Sequence, residues 1–411
     1  MGSTAHEDAY TYPDAKSPTL ILTHPTEDEK RRTWTLNHKE WGGALTLDEY
    51  LKREPYLLTI PLTRDGGMTH WILTDSAWSP EKGGSRPILA SCETINKRVI
   101  LADPGDTTAR DGVGHGVGSV FTYPEHRGNR YAGRMLEELG TALKKWQCEK
   151  QPNQEAVCSA LWSDIGKKYY TKKGWNAWRS EHVEFSVAAN RTQENEGEEK
   201  VTPITYENLA ELCEIDEKLT RDFLVDYAGG TCRTSVAFAP DHDTMRWHLY
   251  RDDFIASILF KSSPGPTDPS LSIKGAIAGS QGRRVWAIWS RNYYGGSSKP
   301  TDNVEKNTLY ILRLVIESHI VDHDNAEEDV LEAFTAVMKA ALREAAAWSL
   351  GKIHLWNPPE IVNELLIQTD LQYTLVDREK ESIPSLMWYD KVEDGKVKYI
   401  EWVANEKYCW C

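Results

Sequence analysis

"TYPEHRGNRYAGRMLEEL", Thr122–Leu139, joins a turn of charged and small residues to a run with helical spacing. Beyond the turn, Ala132, Leu136, Leu139, Leu143 and Trp146 recur as one face of a 3.6-residue helix. A helix start carries backbone N–H groups without intrahelical partners and a positive partial charge, which suits it to an anion. Gly128 lets the backbone come close to a diphosphate. Arg130 stands where such a turn most wants glycine. The expectation is that its side chain swings outward, or pairs with a phosphate oxygen and so offsets the lost fit.

Strand-like runs precede the turn: "PTLILTHPT", "MTHWILTD", "RPILASCET", "KRVILAD" and "HGVGSVFT". "TLDEYLKREPYL" has a Thr cap and helical spacing until Pro55. After the helix come a strand "AVCSALWSD", a short helix "IGKKYYTKK", a Gly174 stop and a strand "WRSEHVEFSVA". The order is strand, phosphate turn, helix, strand, helix, strand. The polar, acidic stretch at Ala188–Pro203 reads as a linker.

The second half repeats this order. "TPITYENLAELCEIDEKLTRDFL" reads as strand then helix. Leu331, Phe334, Met338, Ala341, Ala345 and Trp348 form one face of a long helix. A strand "KIHLWNP", a helix "EIVNELLIQ" and a strand "YTLVD" follow, and "ALWSD" and "HLWNP" echo each other. The segment "HIVDHDNAEEDV" before the long helix is acidic and lacks an Arg-Gly turn, so it should not hold a diphosphate. The alternative is an unrelated α/β domain. The expected layout is a mobile N-terminal tail at 1–18, a mixed α/β (α+β) domain at 19–188, an acidic linker at 189–203 and a second α/β domain at 204–411.

Composition bounds the function. With 411 residues the chain is comfortable for two cores, and 40% hydrophobic residues with 16 Trp exclude a disordered chain. A net charge of -14 argues against nucleic acid as a partner. The seven dispersed cysteines form no paired CxxC arrangement, so neither a structural metal nor a disulfide framework is expected. No apolar leader or membrane-length apolar run stands out, so a cytoplasmic protein is expected.

"PEHRGNRYAGRML" resembles the acetyl-CoA turn of the GNAT (Gcn5-related) N-acetyltransferases, R/Q-x-x-G-x-G/A between a strand and an amphipathic helix. Some thirty residues on, "SDIGKKYYTKKGW" resembles that family's second signature. The resemblance covers roughly residues 20–188 and departs from the family at Arg130. It implies a GNAT fold, acetyl-CoA as co-substrate, no metal, and direct attack of an amine on the thioester. Carried over by position, Phe121 and Thr122 end the strand that pairs with the pantetheine arm. Arg127, Gly128, Asn129, Arg130, Tyr131 and Ala132 form the diphosphate loop. Tyr170 becomes the general acid for the sulfur, with Tyr169 as its fallback.

The general base stays open. His115, on the strand leading to the turn, is the candidate, against a purely structural histidine. Asp164 could hold a substrate ammonium or cap the next helix. The overall layout, with a Trp-rich second half ending "EWVANEKYCWC", resembles the fungal lysine N6-acetyltransferases of lysine catabolism. That resemblance implies free L-lysine as acceptor. A docked carboxylate at Cys411 could then serve as base or as counter-ion to the ammonium, and packing alone is the alternative. Two other readings remain: another small amine or a protein lysine as acceptor, and a non-catalytic binding module in which Arg130 marks a dead site.

Overall fold

The structure is a computed structural model. It describes residues 10–80, 85–148, 155–190, 201–261, 272–295, 299–317, 324–389 and 399–411, with side chains in the helix that begins at 324 described from 328 onward. Most of the expected linker (191–200) and the start of the acidic stretch before the long helix (318–323) lie outside the described residues, as do residues 1–9 of the expected tail.

The first half runs β1 (Leu20–Thr23), α1 (Glu27–Trp41), α2 (Leu47–Leu57), β2 (Met68–Asp75), β3 (Ala90–Ala102), β4 (Arg110–Phe121), α3 (Tyr131–Leu143), β5 (Cys158–Ser163), α4 (Lys168–Thr171), β6 (Asn176–Ala177) and β7 (Glu181–Ser186). The second runs β8 (Thr202–Ile204), α5 (Leu209–Thr231), β9 (Thr234–Phe238), α6 (His242–Leu259), β10 (Gly275–Ala278), β11 (Val285–Asn292), β12 (Thr308–Ile316), α7 (Asp324–Ala347), β13 (Lys352–Trp356), α8 (Glu360–Gln368), β14 (Tyr373–Asp377), β15 (Ile383–Trp388) and β16 (Ile400–Trp402). The chain is therefore mixed α/β, built on two sheets.

Local chemistry explains where reading and structure part. Helix α1 escaped the periodicity because its buried residues, Glu29, Thr33, Trp34 and Asn37, are mostly polar. Its capping box, Thr26 with Glu29, was the usable signal. Pro55 does not interrupt α2, which runs on to Leu57. The two runs "RPILASCET" and "KRVILAD" fuse into one strand, β3. Lys97, which opens the second run, is buried, and its Nζ donates to the Cys409 carbonyl at 2.7 Å.

The two sheets share one plan. In the first, β1-β2-β3-β4-β5-β15-β6 are neighbours in that order; in the second the order is β8-β10-β11-β12-β13-β7-β14. Each has one parallel pair along this row, β4 with β5 and β12 with β13, joined by the helices α3 and α7. All other pairs along each row are antiparallel. The sixth place is exchanged: β15 from the second half completes the first sheet, and β7 from the first half completes the second. The expected units 19–188 and 204–411 hence do not coincide with the two sheets. The matching order is what a repeat of one fold requires.

Burial follows the layers. Met135, Leu136, Leu139 and Leu143 of α3 pack with Trp71, Val117, Leu161 and Trp175 on one face of the first sheet. Its other face, with Val99, Leu101 and Trp162, meets Trp286, Leu312 and Trp356 of the second sheet. Helix α7 covers the far side of that sheet through Phe334, Val337, Met338 and Ala341.

Both ends of the described chain are held. The Tyr408 hydroxyl donates to the Phe238 carbonyl at 2.8 Å, and Lys97 gathers the carbonyls of residues 409 and 410. The mobile-tail expectation is corrected for residues 10–18. Tyr10 donates to Asp75, Ala15 is buried, and the Tyr131 hydroxyl donates to the Pro13 carbonyl at 2.7 Å.

The exchange has a testable consequence. Residues 1–190 alone lack the strand that flanks β5, and leave the core face of β7 (Val183 and Phe185, both fully buried) without its sheet. This fragment should show no cooperative thermal transition by circular dichroism, whereas the full chain melts cooperatively. A sharp transition in the fragment would count against the exchange.

Candidate active site

The site begins where β4 and β5 separate. Their parallel register ends at Val117↔Leu161. Beyond it β4 stays on β3, with Ser91↔Phe121 as its last pair, while β5 is drawn onto β15 by Ser163↔Ile383. A bulge between Ser91 and Glu93 bends β4 further, and Ser119 adopts a left-handed φ of 51°. Peptide edges of β4 from Gly118 to Phe121 therefore face a gap, which places Phe121 and Thr122 where an extended ligand can pair with backbone.

The turn beyond β4 keeps the expected form. Gly128 has φ 86° with open space beside it. Arg130 has φ 64° and is the residue immediately before α3. The turn thus demands the left-handed region, and Arg130 meets that demand at a cost glycine avoids. Arg127 anchors the loop: its Nε donates to the Thr122 carbonyl at 3.2 Å and its guanidinium lies 5.5 Å from the Phe121 ring centroid. A further cation went unread in the sequence. A Cβ on Gly133 would lie 3.1 Å from Lys173 Nζ, so that ammonium rides over the first turn of α3, where it also pairs with Glu137 at 2.6 Å. Open glycine backbone, exposed arginines, an ammonium and a helix start together fit a diphosphate.

The structure brings Tyr170, Asp164 and Cys411 to this region and removes His115. Tyr170 packs with Tyr131, Leu161 and Cys92 at the gap, and burial pushes its hydroxyl up, so it is protonated at neutral pH. Asp164, at the end of β5, accepts the Ser382 N–H at 2.9 Å, while Ser163 takes the Ile165 N–H. Residue Cys411 lies against β4, where a Cβ on Gly116 would be 2.8 Å from its Sγ and one on Gly118 would be 3.5 Å from its carbonyl oxygen. The candidate base His115 is corrected. It points with Val113 and Val117 toward α3, is fully buried, and burial pushes its imidazole down to about 4. A base must reach its proton and be able to hold it, and His115 does neither.

Missed in the sequence is a group of acceptors on the opposite face of β3. A crevice beneath α1 is lined by Trp34, Asn37, His70, Ser91, Glu93 and Ser119. Ser119 Oγ donates to Glu93 Oε1 at 2.7 Å. His70 Nε2 accepts the Trp34 indole N–H at 3.3 Å, so it has no proton to give Glu93 Oε2, 3.5 Å away. Asn37 Oδ1 and Ser91 Oγ are buried without hydrogen-bond partners. Burial pushes the Glu93 carboxyl up, against the pull of Ser119, Arg53 and Arg251. No local signal marked it, because β3 sets Glu93 among Ser91, Thr94, Asn96, Lys97 and Arg98.

The fold is that of the GNAT class. Residues 182–411 match the family model described as the LYC1 GNAT-like C-terminal domain, and the chain belongs to that family. It is similar to a Yarrowia lipolytica (strain CLIB 122 / E 150) protein named "Lysine acetyltransferase", 23% identical over 436 aligned residues covering 95% of this chain and 99% of the relative. In fold it is similar to a GCN5-related N-acetyltransferase from Anabaena variabilis, with TM-score 0.50 and 11% identity over 90% of this chain and 73% of the other. The Saccharomyces cerevisiae N-myristoyltransferase with bound myristoyl-CoA gives TM-score 0.50 and 8% identity over 94% and 82% of the two chains. Among the described residues, no helix is long and apolar enough to cross a membrane, and all seven cysteines are free.

Because Arg130 sits in the left-handed region, Arg130→Gly should stabilise the protein by about 1 kcal/mol. Chemical denaturation should show a higher midpoint at unchanged slope. A lower midpoint would show that the side chain, not the backbone, holds the turn.

Proposed function

We propose that this protein transfers the acetyl group of acetyl-CoA to the side-chain amine of free L-lysine. The observation that carries the amine end is the crevice at the β4 bulge. Asn37 Oδ1 and Ser91 Oγ lack partners there and Glu93 Oε2 faces only a His70 nitrogen that carries no proton, and a primary ammonium has three N–H donors for these oxygens. The family and the printed name of the Yarrowia relative support lysine as acceptor.

The turn at Arg127–Ala132 holds the diphosphate, with Arg130 and Lys173 pairing to its oxygens, and the open edge of β4 aligns the thioester arm. Bound acetyl-CoA supplies an activated acyl carbon. Glu93 accepts a proton from the ammonium, freeing the lone pair that bonds to that carbon. As the carbon–sulfur bond breaks, Tyr170 gives its proton to the departing thiolate. The nitrogen's remaining surplus proton restores Tyr170, so the net release is one proton. A carboxyl held above its usual range is better matched to taking a proton near neutral pH than an ordinary one.

Thiol release from acetyl-CoA, followed with L-lysine, ornithine, spermidine, a lysine peptide and no acceptor, tests the reading. Release with L-lysine well above the others is expected; equal release with the peptide would move the acceptor to protein lysine. Tyr170→Phe should lower kcat by about 10²-fold with little change in acetyl-CoA affinity. An unchanged kcat would dismiss its role as acid.

Glu93 works as the carboxylate, so kcat/KM should fall as pH drops through its raised pKa, above the ordinary 4.5. Glu93→Gln should lower kcat/KM by about 10²-fold and abolish that acid limb. An acid limb that persists in the variant would assign it to another group.

A further inference from the structure

Arginines in this protein fall into two groups. Wherever Arg53, Arg86, Arg98, Arg221, Arg284, Arg291 or Arg313 is perturbed, a carboxylate lies beside it and holds the guanidinium up. Arg251 and Arg378 are the reverse: burial pushes each down to about 10. Among the described residues, neither has a carboxylate within ion-pair distance.

Arg378 is the sharper case. It is 8% exposed, and both Nη1 and Nη2 are buried without a hydrogen-bond partner. Its Nε reaches only the Ser180 hydroxyl, at 3.4 Å, and its guanidinium lies 4.1 Å from the Trp356 ring centroid. Its backbone is locked, the N–H donating to the Ser180 carbonyl at 2.7 Å and the carbonyl accepting from Ser180 Oγ at 3.1 Å. A buried guanidinium held this firmly with an unused fork is costly unless an anion completes it.

Two more groups point the same way. Lys407 is 6% exposed and makes no ion pair among the described residues; its Nζ lies 3.8 Å from the Trp410 ring centroid, 4.3 Å from Trp356 and 4.6 Å from Tyr310. Arg251 and Arg378 are the leading positive charges acting on it, and Asp164 at the end of β5 is the leading negative one. His182, 7% exposed, has both ring nitrogens unpartnered and feels the charge of Arg378. With Glu184 and His354 it could form a metal triad. However, Lys352 lies 3.4 Å from Glu184, and Arg378 adds a second positive charge, so a dication is disfavoured there.

We propose that Arg378, which shares the Trp356 ring with Lys407 and lies near His182, receives the α-carboxylate of the acceptor amino acid. The planar fork matches a carboxylate through two parallel N–H···O bonds. The protein then reads its substrate at both ends: oxygens at the β4 bulge take the side-chain ammonium, and a buried cation from the second half of the chain takes the carboxylate. This deepens the acetyl-transfer reading and rests on it.

The test compares L-lysine with cadaverine, which keeps the amine and lacks the carboxylate, on the full chain. The wild type should prefer L-lysine by about 10²-fold or more in kcat/KM. Arg378→Gln should erase most of that preference through a higher KM for L-lysine, with far less effect on cadaverine. Arg378→Lys keeps the charge but loses the fork, and should fall between them. Equal use of both amines by the wild type, or an equal loss on both in the variants, would overturn the proposal. If the wild type acetylates no amine, the acetyl-transfer reading fails, and calorimetry with L-norleucine in the presence of CoA still decides. Binding by the wild type that is lost in Arg378→Gln sustains the carboxylate site, and no binding by the wild type overturns it.

Discussion

Strands β4 and β5 part beyond Val117↔Leu161, where the bulge opposite Ser91 and Glu93 turns β4 while β15 continues along β5 to Ser163. Four register pairs join β5 to β4, whereas β15 runs along β5 from Cys158 to Ser163. Past Leu161, β5 follows β15 and β4 follows β3. The gap that results is the place where an extended ligand can find unpaired backbone. Because β15 comes from the second half of the chain, the opening in the first sheet depends on a strand supplied by the other.

The same exchange ties the halves into one unit. With β7 in the second sheet and β15 in the first, neither sheet is complete without the other half's strand. The C-terminal segment adds a further bond across the layers. Lys97, buried in β3, cannot be left unsolvated, and it gathers the carbonyls of residues 408 to 410. This brings Cys411 onto Gly116 and Gly118, where the absence of side chains on β4 leaves room for it. The second half thus reaches the first sheet through its last residues.

Two groups of side chains carry opposite hydrogen-bonding character. Among the described residues, Ser91 Oγ and Asn37 Oδ1 lack partners beside the Glu93 carboxyl, while Arg378 Nη1 and Nη2 lack them against the second sheet and the Lys407 ammonium meets aromatic rings. Each set is costly to bury alone. Their separation into two ends, rather than into neutralising pairs, is what distinguishes them from the paired arginines elsewhere, such as Arg291 on Asp252 and Arg313 on Asp216.

The sequence by itself determined the elements whose causes are local. Gly128 and the spacing from Ala132 to Leu143 specify a turn and a helix through backbone freedom and a 3.6-residue apolar face, so the diphosphate loop and the repeated strand–helix order were legible. Tyr170 was legible by its place in a motif. Tertiary structure decided what depends on partners distant along the chain. No pattern near Val183 or Leu386 announces that β7 and β15 trade sheets, since a buried strand reads the same in either. His115 looked available because a sequence does not show which face of a strand is sealed. Glu93 and Arg378 looked like ordinary surface charges. They became distinctive only when folding enclosed Glu93 against the Ser119 hydroxyl and Arg378 against the Ser180 hydroxyl, and burial is a property of the assembled layers.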